Sequence, residues 1–124
     1  MSGSRLFVDT NILIYLLKGD STLETFLQDK HLYISFITEM ELLGFPNISS
    51  QEEVQIKTLL SQCAIVDLEP GIKELAISTR KNYKLRLPDS IIVASALFLD
   101  IPFITADKGL QRLEETLGLI IYEP

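Results

Sequence analysis

The chain has 124 residues, of which 47% are hydrophobic and 23% charged, and 17 acidic against 11 basic residues give a formal net charge of -6. These values exclude a disordered chain and argue against binding of nucleic acid through a broadly basic surface. The single cysteine, Cys63, excludes a disulfide framework and a cysteine zinc site. The longest apolar run, residues 91–99, is far shorter than the ~20 residues that span a bilayer. We therefore expect one domain, residues 1–124, in a cytoplasmic protein without membrane contact.

Strand and helix patterns alternate along the chain. In chain order they predict a strand at 6–8, a helix at 11–19, a strand at 32–35, helices at 37–45 and 51–62, a strand at 64–66, helices at 70–82 and 89–99, a strand at 102–105, a helix at 107–117 and a strand at 119–122. Such alternation is typical of a mostly parallel sheet with helices on both faces. The predicted fold class is α/β, a three-layer α/β/α sandwich around about five strands.

Four acidic residues from distant parts of the chain are predicted to meet at one edge of this sheet. Ligands of open parallel sheets bind beyond the carboxyl ends of the strands, where the strand order reverses. Asp9 directly follows the first strand, and Asp107 lies just past the fourth. Glu41 and Asp89 lie near the starts of helices that enter from the same edge. The four carboxylates are therefore candidates for a common site.

Each acid also has a purely structural explanation. The three aspartates can begin helices, because an aspartate accepts hydrogen bonds from the first backbone N–H groups and favours the helix dipole. Glu41 fits a capping box with Thr38 in the pattern T-x-x-E. A helical wheel does not choose between Glu39 and Glu41. These alternatives stay open when each residue is considered alone.

The apolar setting of the aspartates favours a metal site over three separate helix caps. The stretches FVDTNILI, LPDSIIVA and FITADKGL each embed an aspartate in apolar sequence. Acids gathered in such surroundings repel one another and take up protons unless a cation neutralises them. Oxygen ligands favour Mg²⁺ or Mn²⁺ over zinc, and the single histidine, His31, cannot provide a multi-histidine site. We expect one or two such ions.

Four stretches together resemble the PIN-domain proteins, and among these the short VapC-type toxins. They are FVDTNILIYLL, ISFITEMELLG, LRLPDSIIVASAL and FITADKGL, which stand in the order and approximate spacing of the family. The resemblance implies an acidic quartet with Glu41 rather than Glu39 as its second member. The quartet is then Asp9, Glu41, Asp89 and Asp107. It also implies that three polar residues support these acids through hydrogen bonds, namely Thr10, Asn11 and Thr105. The stretch GFP at 44–46 departs from the Tyr-Gly ending that is commoner in the family.

The resemblance implies a metal-dependent endoribonuclease. Hydrolysis of an RNA phosphodiester needs an activated water and stabilisation of negative charge, and divalent ions supply both. We expect Asp9 and Asp107 to bind metal directly, Asp89 to bind directly or through water, and Glu41 to bind a second ion or orient the water. The alternatives are a non-catalytic metal-binding interaction module derived from the PIN fold and a PIN nuclease of RNA processing or DNA cleavage.

The partners implied are RNA, a cognate antitoxin and a second copy of the chain. Apolar residues on the helices between 22 and 60 are candidates for a homodimer contact. Four basic residues near Asp89 and Asp107 in sequence are predicted contacts of RNA phosphates, with a solvated helix face as the alternative for each. They are Arg86, Lys108, Lys84 and Arg112.

Overall fold

A computed structural model describes residues 4–124, apart from the side chain of Thr116. Residues 1–3 of the predicted domain lie outside this range. The five strands are β1 (Arg5–Val8), β2 (His31–Ser35), β3 (Ala64–Val66), β4 (Phe103–Thr105) and β5 (Leu119–Ile121). They form one sheet in the order β3-β2-β1-β4-β5, and all four pairings are parallel. The predicted α/β fold with a five-stranded, mostly parallel sheet is confirmed.

Seven α-helices and one 3-10 helix connect the described strands. The α-helices are α1 (Thr10–Leu17), α2 (Ser21–Leu27), α3 (Phe36–Leu43), α4 (Ser50–Leu60), α5 (Pro70–Tyr83), α6 (Leu87–Leu99) and α7 (Glu114–Leu117). Helix α2 is absent from the predicted elements. It is only seven residues long, and Asp20 begins it by accepting a hydrogen bond from the backbone N–H of Leu23 at 3.0 Å. None of the helices described here is long and apolar enough to cross a membrane.

The prediction of one continuous helix over 107–117 is wrong. The segment Lys108–Leu113 is a 3-10 helix, and only the single turn of α7 follows it. The physical reason lies at its start, where the Asp107 side chain accepts a hydrogen bond from the backbone N–H of Gly109 at 2.8 Å. This short-range bond tightens the first turn, and glycine has a poor helix propensity. A tight turn therefore carries the chain away from β4.

The core lies on both faces of the sheet. Side chains alternate along a strand, so Leu6 and Val8 of β1 pack on the face covered by α1, α2 and α4, whereas Phe7 packs on the face of α6. On β4, Ile104 packs on the same face as Leu6 and Val8, and Phe103 packs on the face of α6. The layers are thus helices, sheet and helices, as the sequence predicts.

The strand order places a switch point between β1 and β4. From β1 the chain proceeds outward through β2 to β3, whereas β4 and β5 lie on its other side. The connections that leave β1 and β4 therefore diverge and open a crevice at the carboxyl edge, where ligands of such sheets bind. The first residue beyond β1 is Asp9, and Asp107 lies two residues beyond β4.

Candidate active site

All four predicted acids line one open pocket of about 240 Å³ at the carboxyl edge of the sheet. They come from different elements: Asp9 follows β1, Glu41 lies on α3, Asp89 lies in the first turn of α6 and Asp107 follows β4. Glu39 is not among the lining residues. The complete lining is Asp9, Thr10, Asn11, Ile14, Glu41, Phe45, Arg86, Asp89 and Asp107.

Asp9 is the most buried of these acids, with a relative exposure of 6%. It begins α1, and its Oδ1 accepts a hydrogen bond from the backbone N–H of Thr10 at 2.8 Å. The pKa of Asp9 is raised from its ordinary value of 3.8 to about 6, chiefly by burial and to a smaller extent by the charges of Asp89 and Asp107, against two hydrogen bonds that lower it. Asp9 therefore does cap helix α1, but capping does not explain why its carboxylate is buried close to two other acids.

Thr105 and Asn11 connect the two segments that carry Asp9 and Asp107. The hydroxyl of Thr105, which is fully buried, donates to Asp9 Oδ2 at 2.6 Å and accepts from the backbone N–H of Asp107 at 3.0 Å. The Asn11 Oδ1 accepts from the backbone N–H of Ala106 at 3.1 Å. These bonds hold the chain ends of β1 and β4 together at the switch point.

Glu41 is held by a chain of two hydroxyl groups. The Thr10 hydroxyl donates to Glu41 Oε1 at 2.6 Å and lies 2.9 Å from the hydroxyl of Thr38. A hydroxyl can donate only one hydrogen bond, and an ionised carboxylate can only accept. Thr10 therefore donates its hydrogen bond to Glu41 and accepts one from the hydroxyl of Thr38. Thr38 is fully buried. The direction of both hydrogen bonds follows from this chemistry alone.

The capping-box explanation of Thr38 and Glu41 is wrong. Helix α3 begins at Phe36, and its first residues are capped by Ser35, whose hydroxyl accepts from the backbone N–H of Ile37 at 3.1 Å. Thr38 therefore lies inside the helix, three residues before Glu41 and on the same helix face. Thr38 is not among the site residues that the sequence predicts, although its spacing from Glu41 places both on one helix face.

Asp89 lies against the one basic side chain of the pocket lining. Arg86 precedes α6, and its Nε donates to Asp89 Oδ2 at 3.1 Å. This bond raises the pKa of Arg86 above its ordinary value, and the charges of Asp107 and Glu41 add to the effect. The guanidinium thus feels the field of three acids.

The other three predicted phosphate contacts do not line the pocket. Arg112 donates from Nη2 to the carbonyl of Tyr83 at 2.6 Å and so ties the 3-10 helix to the end of α5. Lys84 follows α5 with a left-handed backbone, at φ 56°, and is exposed. Lys108 is exposed and directly follows Asp107. Only Arg86 shares the cavity with the acids.

The chemistry of the pocket suits a hard divalent cation. Four carboxylates offer only oxygen ligands, which Mg²⁺ and Mn²⁺ prefer. In their present positions, no three His, Cys, Asp or Glu side chains within residues 4–124 are arranged to hold one ion. Several carboxylate oxygens are engaged within the protein instead, through Thr105, Thr10 and Arg86. Binding of one ion by three of these acids would require their side chains to move, including the release of Asp89 by Arg86.

Comparisons with known proteins agree with this geometry. Residues 6–115 match the profile of the PIN domain. A chain of the "Toxin-antitoxin complex from Klebsiella pneumoniae" shares 31% identity at a TM-score of 0.82, over 96% of this chain and 99% of that one. VapBC2 from Rickettsia felis, bound to a promoter DNA fragment, has a TM-score of 0.80 at 18% identity, over 95% of this chain and 97% of its own.

VapBC-1 from nontypeable Haemophilus influenzae has a TM-score of 0.69 at 23% identity, over 96% of this chain and 97% of its own. Because their identities are only 18% and 23%, the similarity to these two structures shows a common fold only. A search of curated proteins gave no match. The family profile covers most of the sequence, and the fold agrees with it, so the chain belongs to the PIN domain family.

Proposed function

We propose that this PIN protein is a divalent-metal-dependent endoribonuclease that hydrolyses RNA phosphodiester bonds in the cytoplasm, as the toxin of a toxin–antitoxin pair. The observation that carries the proposal is the meeting of four carboxylates from four elements in one pocket at the switch point. PIN domain proteins are nucleases, which supports a hydrolase that acts on nucleic acid. We treat residues 1–124 as a single PIN-like domain.

We propose the same roles for the four acids that the sequence predicts, and their common pocket supports them. Asp9 and Asp107 bind Mg²⁺ or Mn²⁺ directly, Asp89 binds directly or through water, and Glu41 binds a second ion or orients the attacking water. When bound, one or two such ions lower the pKa of water and stabilise negative charge on the phosphate oxygens. Thr105 supports this arrangement because its hydroxyl fixes Asp9 and the backbone of Asp107 together.

The proposed contacts with the RNA phosphates are basic side chains near the pocket. Arg86 is the first candidate for a phosphate contact, because it lines the same pocket as the acids and its side chain is 80% exposed. Its guanidinium would be free to contact a phosphate oxygen if Asp89 held a metal ion instead of Arg86. Lys108, Lys84 and Arg112 remain proposed outer contacts, of which Arg112 would first have to release Tyr83.

The proposed protein partner is an antitoxin. The support is the relative at 31% identity, which is a chain of a toxin–antitoxin complex and is matched over almost the whole of both chains. We also propose a homodimer. Exposed apolar side chains suited to such a contact occur between 22 and 60, namely Phe26, Met40 and Val54, and also on α5 and α6, namely Ile77 and Leu87. The molar mass measured by light scattering tests the dimer.

One observation favours the alternative of a metal-binding module that does not cleave RNA. No three acids within the described chain are in position to hold one ion together, and Arg86 neutralises Asp89. If the pocket serves only for docking or regulation, the metal-loaded protein will bind a partner and leave RNA intact. Both hypotheses place a cation in this pocket, and RNA cleavage separates them.

The test is cleavage of a total tRNA and rRNA pool with Mg²⁺ or Mn²⁺, followed by mapping of the new ends. We expect defined ends with the wild type and at least about 100-fold less product with Asp89→Asn, because several kcal/mol of charge stabilisation are lost. Asp67→Asn is the matched control, since Asp67 directly follows β3 at the same edge but does not line the pocket. Absence of cleavage by the wild type, or equal cleavage by Asp89→Asn, would contradict the proposal.

A further inference from the structure

Phe45 is a half-exposed aromatic residue at the rim of the acid pocket. Its relative exposure is 49%, and it lines the pocket together with Ile14. The same two side chains also line an adjoining groove of about 350 Å³, whose walls include the apolar Leu42 and Ile56 and the basic Lys18. Phe45 therefore lies between the acid pocket and a mainly apolar groove whose lining also carries one basic residue, Lys18, and one acidic residue, Glu52.

The backbone around Phe45 presents the ring from a rigid turn. A Cβ at Gly44 would lie 2.6 Å from the carbonyl oxygen of Met40, so the close end of α3 requires glycine there. Pro46 has a fixed φ and restricts the residue before it to extended conformations. Asn47 has a φ of 65° and turns the chain back. The backbone on both sides of Phe45 is thus restricted before any ligand binds, which reduces the backbone entropy lost on binding.

We propose that Phe45 is a stacking platform for one unpaired nucleobase beside the scissile phosphate. This inference rests on the proposed function, because it takes the acid pocket as the place where the phosphodiester is cut. Aromatic rings stack on any base through its face, and they recognise nucleotides that are not paired within a duplex. The adjoining groove then receives the next nucleotide, with Lys18 available to its phosphate.

The stacking role also specifies the substrate class. A base can reach Phe45 only when it is turned out of a helix, so the site selects single-stranded RNA, a loop or a bulge and not a continuous duplex. The competing occupant is an apolar segment of a partner protein. The acids make RNA the better candidate, because Phe45 and the proposed catalytic carboxylates share one cavity.

The test is the binding of a ten-nucleotide single-stranded RNA that carries one 2-aminopurine, whose fluorescence falls when its base stacks. All proteins carry Asp107→Asn, which keeps the RNA uncut. We expect Phe45→Leu to weaken binding by roughly 5- to 100-fold and to abolish the quenching, because it keeps apolar bulk but removes the ring. Phe45→Tyr should bind like the Phe45 protein. In an annealed duplex the 2-aminopurine already stacks on its neighbours, so adding the protein should cause no further fall in fluorescence.

Phe26→Leu is the matched control, because Phe26 is also exposed, at 42%, but lies in a different cavity with Ser4 and Pro102. Its unchanged binding would support the inference. Equal binding by Phe45→Leu or equal binding of the duplex would each overturn it. If the wild type cuts RNA while Phe45→Leu binds the decamer normally, only this inference fails. If the wild type cuts no RNA while the quenching depends on Phe45, the nuclease proposal fails instead.

Discussion

Asp9 and Asp20 perform the same structural task in two different surroundings. Each aspartate begins a helix, α1 or α2, and each carboxylate accepts hydrogen bonds from the backbone and from one side-chain hydroxyl. For Asp20 the donors are the N–H of Leu23 at 3.0 Å, the hydroxyl of Tyr122 at 2.7 Å and, as a smaller contribution, the N–H of Thr22. The hydrogen bonds are therefore closely matched.

The pKa values of the two aspartates nevertheless shift in opposite directions. The hydrogen bonds lower the pKa of Asp20, which keeps contact with water. Burial raises the pKa of Asp9 to about 6 in spite of equivalent bonds, and two neighbouring acids add to the shift. A helix cap is thus a property of the local backbone, whereas the chemistry of the carboxylate depends on what surrounds it. The surroundings of Asp9, unlike those of Asp20, favour neutralisation of the carboxylate by a proton or a cation.

The largest expected effect is on RNA cleavage. Asp9→Asn removes a proposed direct metal ligand but keeps the size of the side chain, so we expect at least about a 100-fold loss of rate. Asp20→Asn keeps a side chain that caps helices well and should cleave at the wild-type rate within about twofold. Initial rates on one defined RNA at saturating Mn²⁺ provide the measurement. Equal losses in the two variants would show that a damaged fold, rather than a missing ligand, explains the effect.

The second prediction concerns stability without metal. The pKa of Asp9 is about 6 in the folded protein and 3.8 in its ordinary state, so the folded protein holds this proton more tightly. The contribution of Asp9 to the free energy of unfolding is fully present below about pH 4. It is lost as the pH rises through about 6, and the loss is about 3 kcal/mol. Asp9→Asn removes the cost of the buried charge at pH 8 but also weakens the hydrogen bond from Thr105, so we expect the free energy of unfolding to rise by a net of about 1–2 kcal/mol.

The measurement is urea unfolding in EDTA at pH 4 and pH 8. Asp9→Asn should stabilise the protein at pH 8 only. Asp20→Asn should have the opposite sign, because the lowered pKa of Asp20 contributes stability above its ordinary pKa and loses it as the pH falls. A destabilised Asp9→Asn protein at pH 8 would refute the account of the buried charge.

The third prediction tests whether hydroxyl groups place Glu41 for its role. Thr38→Val keeps the shape of a buried side chain and removes the donor on which Thr10 depends, so we expect kcat to fall by roughly 3- to 10-fold with an unchanged KM. Thr38→Ser keeps the hydroxyl donor and should have the kcat of the wild type. Thr79→Val is the control, since Thr79 is a buried threonine on α5, outside the pocket lining. An equal fall in kcat in Thr38→Val, Thr38→Ser and Thr79→Val would show that Thr38 contributes only to packing.

The smallest expected effect concerns Arg86. Its guanidinium competes with a metal ion for Asp89, but the pair is largely exposed on the arginine side and therefore weak. Arg86→Gln should bind Mn²⁺ about two- to fivefold more tightly by calorimetry, while it binds RNA less tightly. Lys108→Gln is the control, because this exposed lysine follows Asp107 but lies outside the pocket lining. Weaker binding of Mn²⁺ by Arg86→Gln would contradict competition for the carboxylate.

The strand pattern allowed the positions of two acids to be predicted well. Short apolar runs that end at Val8 and Thr105 fix where β1 and β4 stop, and residues beyond parallel strands share one edge. The short helix α2 was not predicted, because seven residues give too little periodicity to recognise. The 3-10 helix was not predicted because its tight start depends on a hydrogen bond between Asp107 and Gly109.

Contacts of side chains were harder to predict than positions along the chain. T-x-x-E describes both a capping box and two residues on one helix face, and only the true helix start at Phe36 decides between them. Nearness in sequence to an acid also failed as a guide for basic residues, because the direction of a long side chain depends on packing. Arg86 lines the pocket, whereas Arg112 reaches the carbonyl of Tyr83.

The central claim is that the environment of Asp9, and not its hydrogen bonds, makes it part of a cation site. Titration with Mn²⁺, followed by calorimetry, tests this most directly on the wild type, Asp9→Asn and Asp20→Asn. We expect one or two ions to bind the wild type and Asp20→Asn alike, and Asp9→Asn to bind at least about tenfold more weakly. Equal affinity in all three proteins, or no binding by the wild type, would contradict the claim.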